Sequence, residues 1–198
     1  RRMKPTTLRL LLIVLAASLP ACASHNAASR TSVTIAPGLE FAIPSGRELG
    51  YPVEATQLIT AHYHDQVQVF QAYVSVSPEQ ISLIALDPLG GRALTVTATD
   101  DAIRTETAAI VPAALRPGNI LADLVIVYWP APAVRRALAA TSASLDDDQS
   151  GRSISFDGRE VVHVSYEGPH QSVWTKRAHL RNIAYGYELD LQSAVTGP

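Results

Sequence analysis

The chain is poor in cysteine, in methionine and in charge: it holds one cysteine and one methionine among 198 residues, and 17% of its residues are charged. A single cysteine excludes an intramolecular disulfide framework and any zinc site with two or more cysteine ligands. A formal net charge of −2 argues against binding nucleic acid by neutralising many phosphates, so we expect no nucleic-acid partner. Hydrophobic residues make up 47% of the chain, enough for one domain with a sizeable core.

The start of the chain is unlike the rest of it. Four basic residues stand among the first nine positions, and an apolar run covers residues 10–19. This pattern is typical of a secretory signal, and the run is too short to cross a bilayer. The order Leu19-Pro20-Ala21-Cys22 resembles the bacterial lipobox, in which the cysteine receives lipid and the chain is cut just before it. We therefore predict a lipoprotein signal peptide over residues 1–21 and lipidation at Cys22; an ordinary signal peptide with a chance cysteine is the alternative.

Removal of the predicted signal peptide would change the charge of the chain. Residues 1–21 hold four of the 16 basic residues and no acidic one, so 12 basic residues remain against 18 acidic ones, a formal charge of −6. An acidic protein is not attracted to anionic head groups, so lipid on Cys22 would hold it at the membrane. Residues 22–36 begin with small and polar side chains and predict a lipidated tether, which leaves residues 37–198 for the folded domain.

The residues after Cys22 also bear on location. Gram-negative lipoproteins that stay in the inner membrane carry Asp directly after the cysteine, whereas this chain has Ala23 and Ser24. By this resemblance we expect the protein in the outer membrane, on its periplasmic leaflet, with the membrane as a partner through the N-terminal lipid.

Alternating apolar and polar residues predict strands on both sides of a different middle region. Turn residues separate the strands of the first group, which indicates an antiparallel meander, and Asp157-Gly158 is a strong hairpin signal in the second group. The predicted strands cover residues 66–76, 81–86, 92–99 and 102–109, then 153–157, 160–166, 172–179 and 185–195.

The middle region predicts two helices. Residues 120–129 are apolar almost all round, with Asn119 as a cap and Pro130 as a stop; a buried strand is the alternative, because several of these residues are β-branched. Pro132 then opens a second helix over residues 133–140, with apolar residues on one side. Strands on both sides of two helices argue for an α+β fold, an antiparallel sheet with helices against one face.

Three segments are characteristic: residues 69–97 with the turn 87–91, the apolar segment from Ile120 to Pro130, and Arg136-Ala137-Leu138. They resemble an uncharacterised bacterial lipoprotein family that is often encoded beside aryl-polyene pigment genes. The resemblance covers roughly residues 51–191. That family is considered to share the fold of the LolA and LolB lipoprotein carriers. The resemblance therefore implies a strongly curved antiparallel β half-barrel with two or three helices covering its concave face.

The same resemblance implies a function. The half-barrel would enclose an apolar cavity that binds a lipid, a lipoprotein acyl chain or an aryl-polyene lipid, at about 25 cal/mol per Å² of buried apolar surface. We expect a periplasm-facing outer-membrane lipoprotein that assists transfer or insertion of this ligand, with a periplasmic carrier protein as a further partner. The alternative is a scaffolding lipoprotein that docks a periplasmic protein without a ligand. The candidate cavity or lid residues are Leu121, Leu124, Val125, Tyr128 and Trp129.

The sequence offers little catalytic chemistry. It contains no Gly-x-Ser-x-Gly elbow, no Ser-x-x-Lys motif and no Gly-rich phosphate loop, so we expect no enzyme activity and no cofactor. Asp123 stands inside the apolar helix. We predict that it pairs with Arg92 or Arg136 as a structural tie; contact with a ligand head group is the alternative.

Two patterns suggest metal ligands, and neither is complete. His62 and His64 would share one face of a strand, but solvent-facing histidines are the favoured interpretation. The loop 146–157 matches the opening positions of a calcium loop and its twelfth, yet Ser153 stands where an apolar residue is needed, so we expect no metal site. A third ligand beside the two histidines would have to come from His163, His170 or His179.

Overall fold

The computed structural model describes residues 31–108, 111, 116–168, 172–175 and 177–196. The predicted signal peptide, Cys22 and the first part of the predicted tether lie outside these residues. Within the described ranges, no helix is both long enough and apolar enough to cross a membrane.

The described residues form strands, two α-helices, and short 3-10 turns at Gly46–Leu49 and Val173–Thr175. The helices are α1 (Pro117–Tyr128) and α2 (Ala131–Leu138). The strands are β1 (Ser32–Ala36), β2 (Leu39–Ala42), β3 (Val53–Tyr63), β4 (Gln66–Val76), β5 (Ile81–Leu86), β6 (Arg92–Ala98), β7 (Ile103–Thr107), β8 (Ser144–Asp147), β9 (Gly151–Phe156), β10 (Arg159–Glu167), β11 (Arg177–Asn182) and β12 (Tyr187–Val195).

One antiparallel sheet contains ten of these strands, in the order β7-β6-β5-β4-β3-β12-β11-β10-β9-β8. The last strand of the chain, β12, pairs with β3 at the centre and so joins the two halves of the sequence. Within the described residues the edge strands β7 and β8 do not pair with each other, so the sheet is open. Strands β1 and β2 form a separate hairpin.

The sheet buries one face, called the concave face below, and leaves the other, the convex face, largely in solvent. Along β3 the side chains of Val53, Ala55 and Ile59 are buried, while Glu54 and Leu58 between them are exposed. This alternation follows from the two-residue period of a strand. Apolar residues at every second position therefore fix which face meets the helices.

Helix α1 lies on the concave face and is enclosed there. Every residue from Leu121 to Trp129 is buried, as expected of a helix that is apolar all round. The helix contacts β6 and β7 near one edge of the sheet and β11 beyond its centre, and it also contacts β1. The sheet therefore curves around α1, and the expected α+β, half-barrel-like architecture is confirmed.

Most predicted elements are present. The strands at 66–76 and 81–86 are β4 and β5, and the predicted helices are α1 and α2, with buried Val134 and exposed Arg135 on opposite sides of α2. The predicted hairpin at Asp157-Gly158 is confirmed, since φ is positive at both residues (50° and 73°), as a type I′ turn requires.

Several boundaries are corrected. Helix α1 begins at Pro117, so Asn119, the predicted cap, lies inside its first turn instead. The strand predicted over 172–179 begins only at Arg177, after the 3-10 turn Val173–Thr175. Trp174 is fully buried in that turn and stacks on Tyr128 with ring centroids 4.0 Å apart, so its side chain turns into the core instead of continuing a ladder. Residues 32–36, at the end of the predicted tether, form β1 and contribute buried Ile35 to the core.

Candidate functional site

The concave face holds a small apolar cavity near the N-terminal end of α1. Its space is about 20 Å³, room for about one water molecule. Among the described residues every lining side chain is apolar, so burying an apolar group there leaves none of these side chains with an unpaired polar atom. The lining residues are Ile59 and Ala61 of β3, Phe70 of β4, Leu83 and Ala85 of β5, Leu94 of β6, Val111, Ile120 of α1, and Leu189 of β12.

The five candidate cavity or lid residues lie on α1 or directly after it, and all of them are buried: Leu121, Leu124, Val125, Tyr128 and Trp129. The residue of α1 that lines the cavity is Ile120, just before them. Tyr128 is fixed by a 2.6 Å hydrogen bond between its hydroxyl and Ser193 Oγ. Trp129 donates its indole N–H to the carbonyl of Ser45 at 3.3 Å. These residues connect α1 to the rest of the core.

A buried polar cluster lies beside the cavity, between α1, β11 and β12. The Tyr187 hydroxyl donates to Asp123 Oδ2 at 2.7 Å and accepts from Asn182 Nδ2 at 3.3 Å. Asn182 also donates to the carbonyl of Ile35 in β1 at 3.0 Å. Burial raises the pKa of Asp123 to about 7, against the lowering effect of the hydrogen bond from Tyr187. The same burial, together with the charge of Asp123, raises the pKa of Tyr187 well above 10.

The predicted pairing of Asp123 with Arg92 or Arg136 is wrong. Arg136 instead donates to Glu48 at 2.6 Å on the surface, and Arg92 is exposed at the start of β6. Asp123 instead faces the sheet, where Tyr187 of β12 donates to it. Tyr187 is not among the site residues predicted from the sequence, although its period-2 alternation with Leu189 and Leu191 was the available signal.

Two atoms of this cluster are unpartnered. Among the described residues, neither Asp123 Oδ1 nor Asn119 Nδ2 has a hydrogen-bond partner, although Asp123 is only 1% exposed and Asn119 only 3%. The Asn119 side chain also interacts with the Tyr187 hydroxyl and acts to lower its pKa, but Nδ2 has no partner within hydrogen-bond geometry among the described residues. A buried polar atom without a partner lowers the free energy of unfolding by about 1 to 3 kcal/mol. The two unpartnered atoms therefore require an explanation.

The C-terminal end of α1 is held by side chains of β9 and β10. Arg152 Nη1 donates to the carbonyls of Ile126 and Trp129, both at 2.7 Å, and the Tyr166 hydroxyl donates to the carbonyl of Val127 at 2.7 Å. Arg152 also pairs with Asp147. These contacts satisfy carbonyls that the helix end leaves free and place a cation at the negative end of its dipole.

Among the described residues, His62, His163 and His179 lie on the convex face, whereas His64 lies in the turn after β3 and does not share a strand face with His62. His170 lies outside the described residues. His62 and His179 flank Asp190, at 3.0 and 2.8 Å from its two oxygens, while His163 contacts Glu160 at 2.8 Å. Burial acts to raise the pKa of Asp190, but the hydrogen bonds from the two histidines prevail and hold it below its usual value. Among the described residues, no group of three or more His, Cys, Asp or Glu side chains is placed to hold a metal ion.

The described chain is an α+β protein in which an open antiparallel sheet curves around one buried helix beside a small apolar cavity. It belongs to the family described as protein of unknown function (DUF3261), whose model matches residues 54–195. The match runs from β3 through β12 and includes the entire cavity lining and the polar cluster. No curated protein matches the chain.

Proposed function

We propose that this protein is a periplasm-facing outer-membrane lipoprotein, with a fold like that of LolA and LolB, that binds a hydrophobic ligand and assists its transfer or insertion. The ligand is a lipid, a lipoprotein acyl chain or an aryl-polyene lipid. The observation that carries this proposal is the cavity on the concave face, beside the N-terminal end of α1, whose described lining residues are all apolar. No catalytic group or cofactor is required for such a role.

A ligand must enlarge the cavity in order to bind. Each buried CH₂ group contributes about 0.8 kcal/mol, whereas the present space of about 20 Å³ accepts no more than one water. Displacement of Ile120 would open the cavity, and Arg152 and Tyr166 hold the opposite end of α1. We infer that α1 acts as a lid that moves at its N-terminal turn.

Delivery to a membrane would use the exposed hairpin between β5 and β6. Leu89 at its tip is 96% exposed, in a turn stabilised by hydrogen bonds from the N–H groups of Leu89 and Gly91 to Asp87 Oδ1, both 2.8 Å. A rigid turn that presents a leucine to solvent can insert that side chain among acyl chains at little conformational cost.

The anchor in this proposal is lipid on Cys22. Changing Cys22→Ala removes the thiol that would carry the lipid and leaves the folded domain unaltered. We expect the variant to leave the outer-membrane fraction while keeping its thermal unfolding midpoint. Retention of Cys22→Ala in the outer-membrane fraction would contradict the anchor.

Mass spectrometry of lipids that copurify with the protein tests ligand binding. We expect acyl or polyene chains with the wild type, and their loss in Ile120→Trp, since the larger side chain fills the cavity. Ile183→Trp is the matched control, because Ile183 is exposed in the turn between β11 and β12. A wild-type protein that carries no apolar molecule and takes none up from vesicles would overturn the proposal.

The second candidate is a scaffolding lipoprotein that docks a periplasmic protein. The observation in its favour is an apolar patch on the convex face, formed by Leu58, Val67, Val69 and Tyr73, all at least 40% exposed. Patches of this kind mark interaction sites. Crosslinking in cells that recovers one stoichiometric protein, together with a cavity that binds nothing, would favour this candidate.

A further inference from the structure

Two residues of the polar cluster, Asp123 and Tyr187, are neighbours of residues that line the cavity. On α1, Asp123 lies three residues after Ile120, which lines the cavity, so the two side chains are neighbours on the helix surface. On β12, Tyr187 lies two residues before Leu189, another lining residue, on the same face of the strand. A molecule whose chain fills the cavity would therefore meet Asp123 and Asn119 at its end.

The two unpartnered atoms define what this end can recognise. Asp123 Oδ2 accepts the hydrogen bond from Tyr187, which leaves Oδ1 to carry the proton when the carboxyl group is neutral. Asn119 stands four residues earlier on the same side of α1, and its Nδ2 offers an N–H. Together they present two donors in a buried, apolar surrounding.

We propose that Asn119 and Asp123 bind the carboxylate head group of a long-chain carboxylic acid whose chain occupies the cavity. This inference rests on the proposed function and narrows its ligand class. The carboxylate would accept the O–H of Asp123 with one oxygen and the N–H of Asn119 with the other. The two atoms that are unpartnered in the structure would then both be paired.

Other head groups fit less well. An ammonium group would pair with ionised Asp123 but leave the Asn119 N–H facing a cation. A phosphate carries more charge than two neutral donors can compensate, and the nearby cation Arg116 instead lies 4.5 Å from the centre of the Tyr185 ring, at the exposed start of α1. A carboxylate needs no cation here, because the proton on Asp123 is shared between two carboxyl groups.

The site should respond to pH, because ionised Asp123 would repel the ligand. In the part of the chain that the structure describes, three other groups face Asp123 or Tyr187, and none of them titrates: Asn119 from α1, Asn182 from β11 and the Ile35 carbonyl through Asn182. Tyr187 stays protonated well above pH 10. Since the pKa of Asp123 is about 7, the neutral fraction changes about tenfold between about pH 6 and about pH 8.

Displacement of an uncharged apolar dye, N-phenyl-1-naphthylamine, from the full chain carrying Cys22→Ala tests the inference. The competitors are palmitic acid, methyl palmitate and hexadecylamine. We expect palmitic acid to displace the dye at concentrations at least about tenfold below hexadecylamine, with an affinity that rises about tenfold from pH 8 to pH 6. Asp123→Leu should abolish both the preference and the pH response.

Asp123→Asn separates recognition from stability. Its amide keeps an acceptor for Tyr187 and a donor for the ligand, so palmitic acid should still be preferred, without the pH response. Gln57→Leu is the matched control, because Gln57 is another buried polar residue of the concave face with an unpartnered oxygen; it should change neither. Thermal unfolding of each variant identifies loss of fold.

The outcomes separate the two proposals. If neither the dye nor any competitor binds the folded protein, the proposed function is overturned. If the dye and all competitors bind equally, or if the acid preference survives in folded Asp123→Leu, the carboxylate site is overturned while apolar binding stands. If Asp123→Leu does not fold, an unchanged pH response in Asp123→Asn overturns the carboxylate site.

Discussion

The two faces of the sheet place the same residue types in opposite surroundings. Leu121 on the concave side is fully buried, whereas Leu58 on the convex side is 49% exposed. Asp123 on the concave side has its pKa raised to about 7 by burial, whereas Asp190 on the convex side has its pKa held low by two histidines that outweigh its slight burial. The contribution of a side chain to stability and the pKa of a carboxyl group therefore depend here on burial beneath α1 and not on residue type alone.

This difference also separates the two candidate functions. A ligand carrier depends on the concave face, where α1, the cavity and the polar cluster meet, and a scaffold depends on the convex face. Substitutions in matched pairs, one on each face, test how far the two faces differ.

Truncation of leucine should give the largest difference. Leu121→Ala removes a fully buried side chain from the side of α1 that packs in the core, so we expect the free energy of unfolding to fall by about 3 to 5 kcal/mol. Leu58→Ala should change it by less than about 1 kcal/mol, since that side chain is half in water. Urea denaturation measures both. Similar losses in the two variants would contradict the enclosed position of α1.

The pH dependence of stability should follow Asp123. Its pKa is about 7 in the folded protein and 3.8 in an ordinary aspartate, so the folded state binds the proton more tightly. The free energy of unfolding should be highest below about pH 4, fall as the pH rises towards 7, and level off above that value. The total decrease should be on the order of 4 kcal/mol. Asp123→Asn should lack this fall in urea denaturation at a series of pH values; an unchanged slope would show that Asp123 is not the group responsible.

Arg152 and Arg136 offer a further matched pair. Arg152 donates to two helix carbonyls, and its side chain is 11% exposed, so Arg152→Met should cost about 2 to 3 kcal/mol by leaving those carbonyls unpaired. Arg136→Met breaks an exposed pair with Glu48 and should cost less than about 1 kcal/mol. Thermal unfolding at constant pH distinguishes them, and equal effects would contradict the C-terminal cap of α1.

The sequence predicts local elements of this fold well and tertiary partners poorly. Alternation and turn residues locate β4, β5 and the hairpin at Asp157-Gly158, because these signals act over neighbouring residues. The hydrogen-bond partner of Asp123 is Tyr187 of β12, which is 64 residues away in the sequence. No local pattern predicts a contact over that separation. The stacking of Trp174 on Tyr128 likewise explains why residues 172–175 are not part of a strand, and periodicity does not predict this contact.

The lining of the cavity likewise depends on tertiary contacts that the sequence does not predict. An apolar helix from 120 to 129 predicts a buried lid, and α1 is buried as expected. Which of its residues faces the cavity depends on the rotation of the helix about its axis, and this rotation is set by contacts from Arg152, Tyr166 and Tyr187. The lining residue is consequently Ile120, one position before the candidates.

The smallest effect is expected at the convex carboxylate. Asp190→Asn removes the charge that His62 and His179 contact, but the three side chains are between 35% and 53% exposed, so water and salt screen the interaction. We expect the free energy of unfolding to fall by less than about 1 kcal/mol at neutral pH, and by less at high salt than at low salt. Since the pKa of Asp190 is held below its usual 3.8, this contribution is present above that value and disappears as the pH falls through the lowered pKa. A decrease as large as that of Leu121→Ala, and insensitive to salt, would mean that the convex face is buried against another molecule in solution. That result would favour the scaffold candidate over the ligand carrier.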